Sequence, residues 1–144
     1  MDQWQAAYAS GLQGVIDAFD EAVEVLVAEA HELNAAFWKE VKREGKFCPY
    51  IIRIRGDRGS YQVTWGKMVS YKDEDDNQKS FVEWIPKGTS STYKRSSFKN
   101  APDWFWPLFD TYEPQLARLR EEIKKNRVAR GKILTHKRRI EKEL

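Results

Sequence analysis

The sequence predicts an α+β domain: a small three-stranded antiparallel β-meander inserted between two long terminal helices that pair antiparallel. Three observations predict it. Apolar residues recur at three- and four-residue steps near both ends of the chain, the period of a helix with one buried stripe. Between them the period drops to two, the period of strands with one face inward. The strand signals fall together between the helical ones instead of alternating with them, which is the α+β pattern. At 144 residues, the chain fits one domain, divided as an acidic helix at 1–45, a meander and basic loop at 46–99, and a kinked, basic helix at 100–144.

The first helix is expected to begin between Trp4 and Gly14. Tyr8, Leu12, Val15, Phe19, Ala22, Leu26, Ala30, Leu33, Phe37 and Val41 form its predicted stripe. Gly45 is a natural stop, and Lys39, Lys42 and Arg43 before it suit a helix C-terminus.

In the middle, "PYIIRIRG" sets Ile52 and Ile54 against Arg53 and Arg55. "GDRG" supplies turn chemistry, and "SYQVTWGKM" alternates again, so the two runs read as a hairpin. "YKDEDDNQKS" reads as a polar connector and "FVEWIP" as a third strand stopped by Pro86. In the last segment Asn100 is a candidate helix cap with Pro102 in the first turn. Pro107 and Pro114 predict a short helical turn over 102–112, a break, and a long helix from Pro114. Its stripe runs through Leu116, Leu119, Ile123, Asn126, Arg130, Ile133, Lys137, Ile140 and Leu144, and is thin in apolar residues between 124 and 132.

Charge is distributed unevenly. Residues 1–44 hold nine acidic and three basic side chains, residues 45–117 nine and eleven, and residues 118–144 four and eleven, for net charges of −6, +2 and +7. An acidic head and a basic tail predict either mutual neutralisation of the two helices or a tail that contacts nucleic acid. The single cysteine, Cys48, allows no intramolecular disulfide and reads as a buried thiol in a reducing, cytoplasmic setting. The N-terminus lacks a basic region followed by an apolar run, so no signal peptide is expected. The most apolar segment, Leu12–Ala30, carries Asp17, Asp20, Glu21, Glu24 and Glu29, which excludes an ordinary membrane span.

The second basic region is "IPKGTSSTYKRSSFK", residues 85–99, with Lys87, Lys94, Arg95 and Lys99 and no acid. Its "GTSSTYK" fails as a nucleotide-binding Walker loop, because Tyr93 stands where Gly is needed and Arg95 where Ser or Thr is needed. "DEDD" at 73–76 fails as a calcium loop: Gln78 replaces the Gly and Trp84 the bidentate Glu. One Cys and two distant histidines, His31 and His136, cannot make a zinc site. "WFW" at 104–106 with Phe109 and Tyr112 is expected under the sheet as core. No catalytic constellation is present, so neither an enzyme nor a cofactor is expected. The expected phosphate contacts are Arg53, Arg55, Arg58 and Lys67 from the sheet, and Lys87, Lys94, Arg95 and Lys99 from the loop.

"FCPYIIRIRGDRGSYQVTW", "FVEWIPKG", "YKRSSF" and "KNAPDW" occur in that order over about residues 47–106. This run resembles the MobI-type auxiliary proteins of conjugative mobile elements. The resemblance implies a protein that helps initiate conjugative transfer with a relaxase at the origin of transfer, and that does not cut DNA itself. The expected function is therefore a non-enzymatic DNA-processing accessory, with DNA and a relaxase or other transfer-initiation protein as partners. The alternative is a protein-interaction adaptor or homodimerisation module that uses the helical pair, its thin seam completed by a second chain.

Overall fold

The computed structural model describes residues 3–57 and 60–143. Helix α1 covers Gln3–Glu44; strands β1 (Tyr50–Asp57), β2 (Ser60–Lys72) and β3 (Gln78–Trp84) follow; helix α2 covers Phe105–Lys142. The strands form one antiparallel sheet in the order β1-β2-β3. The α+β class, the meander and the antiparallel helix pair all stand as expected.

The two helices run past each other along their lengths. Phe37 meets Tyr112 and Phe105 at one end, with ring centroids 5.8 and 6.4 Å apart. At the other, the Tyr8 hydroxyl lies 2.8 Å from His136 Nε2. Gly45 closes α1 at φ +66°, donating its N–H to the Lys42 carbonyl at 3.2 Å. That left-handed conformation carries a penalty for any residue with a Cβ.

The core lies where both helices meet the inward face of the sheet. Trp65, Tyr50, Phe37 and Phe105 are fully buried there, with Phe98, Phe109 and Tyr112 around them. The inward parity is that of Tyr50 and Ile52 on β1 and of Val63 and Trp65 on β2. "WFW" divides accordingly: Phe105 is buried, while Trp104 and Trp106 pack partly buried against the core.

Three local expectations are corrected. The stripe of α1 is right in its second half (Ala30, Leu33, Phe37, Val41), but Ile16, Val23 and Val27 replace Val15, Ala22 and Leu26 as the buried set in the first. Half of the "YKDEDDNQKS" connector is strand. β2 continues to Lys72 and β3 starts at Gln78, leaving a turn in which Asp73 Oδ1 accepts the N–H groups of Asp75 (3.0 Å) and Asn77 (2.9 Å). The acidic run is thus a solvated hairpin tip, in keeping with the failed calcium pattern.

The third correction concerns α2. Asn100 does not cap it but sits at φ +61°, and the helix begins at Phe105 and passes through Pro114 without a break. Pro107 falls in the first turn, where its missing N–H costs nothing. Pro114 does remove one helical hydrogen bond. Burial of Tyr112, Glu113, Leu116 and Ala117 on either side of it outweighs a cost of about 3 kcal/mol. Side chains serve nearby carbonyls: Thr111 Oγ1 donates to Pro107 (2.9 Å) and Gln115 Nε2 to Thr111 (2.7 Å). Pro114 itself is exposed, so Pro114→Ala should raise stability by about 1–3 kcal/mol; an unchanged or lowered urea midpoint would show that the proline is fully accommodated.

Candidate nucleic-acid interface

The outward face of the sheet is built by alternation. Arg53 pairs across β1–β2 with Thr64, and Arg55 with Gln62, so both arginines point away from Ile52 and are exposed. Trp84 on β3 reaches across β2 to the Arg53 guanidinium, 4.8 Å from ring centroid to Cζ. It can do so because Gly66 lies between them. An added Cβ there would stand 2.5 Å from Val82 Cγ1 and 2.8 Å from Trp84 Cζ3. The stacked pair holds one cation flat on the sheet. Arg55 meets no carboxylate among the described residues. Arg58, the expected turn cation, lies outside them.

Lys67 is on the opposite face. It pairs with Tyr50 and shares the parity of Trp65. Its ammonium lies 6.0 Å from the Tyr50 ring centroid and 3.4 Å from the Lys99 carbonyl. Lys67 therefore belongs with the end of the 85–99 segment and not with Arg53 and Arg55.

That segment is less a loop than a strap with two buried anchors. Phe98 packs 4.9 Å from Phe109 and 5.0 Å from Tyr50 between ring centroids. Tyr93 is also buried, and burial pushes its hydroxyl above the ordinary 10.0. The hydroxyl of Tyr50 donates to the Lys99 carbonyl. Between the anchors, Lys94 is exposed, and Arg95 is ion-paired to Asp110 and stacked 5.1 Å over Trp106. Lys99 projects into solvent just after Phe98. The eight expected contacts thus fall on separate surfaces: Arg53 and Arg55 on the outer sheet face, Lys67 and Lys99 at the second anchor, Lys94 and Arg95 on the short turn, and Lys87 on the far side of Tyr93.

Two further residues, not singled out by sequence, organise the Lys87 side. Only β1 pairs with β2 over residues 60–65, since β3 joins at Gly66. The other edge of this stretch needs partners from elsewhere. Arg120 Nε donates to the Val63 carbonyl at 2.6 Å, the Trp65 N–H donates to the Tyr93 hydroxyl at 3.4 Å, and Ile85 N–H donates to the Trp65 carbonyl at 3.0 Å. Glu113 balances the Arg120 charge through two bonds of 2.9 Å. It also accepts Trp65 Nε1 (2.9 Å) and the Tyr93 N–H (2.8 Å). Both ionic side chains are buried, at 7% exposure for Arg120 and 1% for Glu113. Lys87, beyond this pair, donates to the Ser90 carbonyl. Burial, then the like charges of Arg120 and Lys124, hold its ammonium below the ordinary 10.5.

The basic tail is not covered wholesale by the acidic helix. Arg130 makes a two-point ion pair with Asp20 (2.7 and 3.3 Å), and Asn126 Nδ2 donates to the Phe19 carbonyl at 3.2 Å. These polar contacts fill the seam that is thin in apolar residues. Arg118, Lys125 and Lys137 instead pair with Glu122 and Glu141 of α2 itself.

No helix among the described residues is long and apolar enough to cross a membrane. Comparison with known proteins adds one finding: a family model described as MobI protein matches residues 26–134. No curated protein and no solved structure matches the chain. The matched span takes in the second half of α1, the whole sheet, the strap and α2 as far as Leu134. The chain therefore belongs to the MobI protein family, a family of auxiliary mobilisation proteins, and this membership points to a role in mobilisation or conjugation.

Proposed function

We propose that this protein is a non-enzymatic, DNA-binding accessory of mobilisation that assists a relaxase at an origin of transfer. The observation that carries the DNA-binding part is a set of cations, Arg55, Lys94 and Lys99 together with the Trp84-stacked Arg53, that meet no carboxylate among the described residues. Such side chains are available to phosphate oxygens at little desolvation cost. Lys87 adds to the set from the cleft side; Arg58, outside the described residues, is included on its charge alone. Lys67 and Arg95 contribute less, being already engaged by Tyr50 and the Lys99 carbonyl and by Asp110. The mobilisation setting, and with it the relaxase, rests on family membership.

Fluorescence anisotropy with a labelled duplex tests the reading. Affinity should fall roughly a hundredfold or more between 50 and 200 mM salt, as expected for several phosphate contacts. Arg53→Ala/Arg55→Ala and Lys94→Ala/Lys99→Ala should each weaken binding about tenfold and flatten the salt dependence by about one contact per residue removed. Absent or salt-insensitive binding overturns DNA contact. The adaptor reading is favoured by exposed Trp4 and Val15 on α1, 59% and 42% exposed. The seam itself no longer supports it, because Asn126 and Arg130 complete it internally. Light scattering that shows a dimer, together with no retention of DNA, would favour the adaptor.

A further inference from the structure

Where the strap leaves the sheet, the free stretch of β2, the strap and α2 enclose a cleft of about 480 Å³. Ser60 and Thr64 line it from β2, Lys87, Thr89 and Ser91 from the strap, and Lys124 from α2. No carboxylate among the described residues lines it. Arg120 at its base is balanced by Glu113, while Lys87 and Lys124 make no ion pair among the described residues; the repulsion of Arg120 and Lys124 on Lys87 exceeds the attraction of Glu113. Glu113 is committed to Arg120 and Glu24 to the Tyr61 hydroxyl, so the two lysines, set beside hydroxyl groups, leave a net positive site whose charge is completed by an anion.

The apolar part of the cleft narrows the choice of anion. Tyr61, Ile85, Ile123 and Val128 also line it, and Val128 is 52% exposed in the middle of a highly charged helix. A more open depression continues along α2, sharing Ser91, Lys124 and Val128, lined also by Glu121 and Lys125, and ending at Ala129 and Lys132. From Lys124 to Lys132 the helix rises about 12 Å, so three lysines, against the single carboxylate of Glu121, flank an apolar floor over a distance of a few nucleotides. A duplex presents phosphates but hides its bases, and it is too wide for a cleft in the size range of small-molecule sites. A single strand offers both phosphates for the cations and base faces for the floor.

We infer that this cleft and its extension along α2 bind a short stretch of single-stranded nucleic acid, with Lys87 and Lys124 on the phosphates and Tyr61 and Val128 against the bases. The inference rests on the DNA-binding reading and adds to it a second surface that shares only Lys87 with the first.

The test uses the full chain with two labelled probes, a twelve-residue oligothymidylate and a blunt duplex, by anisotropy at low salt. Lys87→Glu/Lys124→Glu should weaken oligothymidylate binding at least about tenfold. Lys124→Glu alone, which touches no residue assigned to the duplex, should weaken oligothymidylate binding at least about threefold and change duplex affinity by no more than about twofold. Lys39→Glu/Arg43→Glu on α1, with the same change in net charge as the double variant, should leave the oligothymidylate affinity within about twofold. Thermal unfolding of each variant checks that the fold is retained, as expected for side chains at the surface. Equal loss on both probes for Lys124→Glu, or an unaffected oligothymidylate, overturns the cleft. Duplex binding without oligothymidylate binding also overturns it, while leaving the DNA-binding reading standing; failure of both probes overturns both. Displacement of the oligothymidylate by an equal concentration of thymidine monophosphate would make the cleft a mononucleotide pocket and overturn the strand-binding inference.

Discussion

Glu113→Ala should cost about 3–5 kcal/mol of folding stability, read as a lowered urea midpoint with an unchanged slope. The reason lies in what the carboxylate leaves behind. Four donor contacts end on it: two from Arg120, one from Trp65 Nε1 and one from the Tyr93 N–H. All are buried, and water cannot readily replace the lost oxygens. An uncompensated guanidinium in such a place is far costlier than the net worth of the intact pair. Glu113→Gln keeps the shape and one acceptor oxygen, but it turns an amide N–H₂ toward donors. It should fall between wild type and Glu113→Ala. Replacing both partners, as in Glu113→Leu/Arg120→Met, should not restore full stability, because Arg120 also serves the carbonyls of Val63 and Ser91. A cost below about 1 kcal/mol for Glu113→Ala would mean that the pair behaves like a solvent-screened one.

This pair also marks where sequence reading stops. Glu113 and Arg120 stand seven apart, which on a helix is two turns along one face. On a chain with 33% charged residues, such a pair is indistinguishable from a solvated one. What makes it central is the free edge of β2 between Ser60 and Trp65, created because β3 pairs only from Gly66 onward. The length of a strand pairing is set by the turn and by what covers the remainder, and neither has a local signature. Lys124 read only as part of the basic tail for the same reason: it becomes part of a cleft only once the strap is laid beside it.

The fold itself was legible because its main signals are periodic. Alternation of Ile52 and Ile54 with Arg53 and Arg55 assigned both faces of β1 correctly, and the same alternation places Lys67 with Trp65 on the inner face. The first half of α1 was harder. Val15 and Ile16, Ala22 and Val23, and Leu26 and Val27 are adjacent apolar pairs, so two stripes one residue apart fit the spacing equally well. The choice belongs to tertiary packing, which buries Ile16 and Val23. The uninterrupted α2 shows tertiary packing overriding a local breaker: Pro114 predicts a break, and the buried residues around it hold the helix through. Tyr93 and Phe98 turned a basic, hydroxyl-rich segment into an anchored strap. A lone aromatic in a polar run does not reveal by itself that the core has room for it.

Trp65→Ala should match Glu113→Ala in cost, at about 3–5 kcal/mol, but by a different route. Trp65 is fully buried and packs edge-on against Phe37 (5.3 Å), Phe98 (5.5 Å) and Phe105 (5.8 Å) between ring centroids. Truncation leaves a cavity among rings that belong to both helices, the strap and the sheet, so no single element can collapse to fill it. It also removes one donor from Glu113. Trp65→Phe separates the two effects. It retains most of the ring packing and loses the indole N–H, so its cost should be about 1–2 kcal/mol, near that of one buried hydrogen bond to a charged group. If Trp65→Phe proved as damaging as Trp65→Ala, the hydrogen bond to Glu113 would be the dominant contribution and the aromatic cluster a minor one. Because Phe98 anchors the strap against this same ring, Trp65→Ala should also increase protease cleavage between Lys87 and Lys99 before global unfolding. Trp65→Phe should not, since Phe98 keeps an aromatic partner at that position.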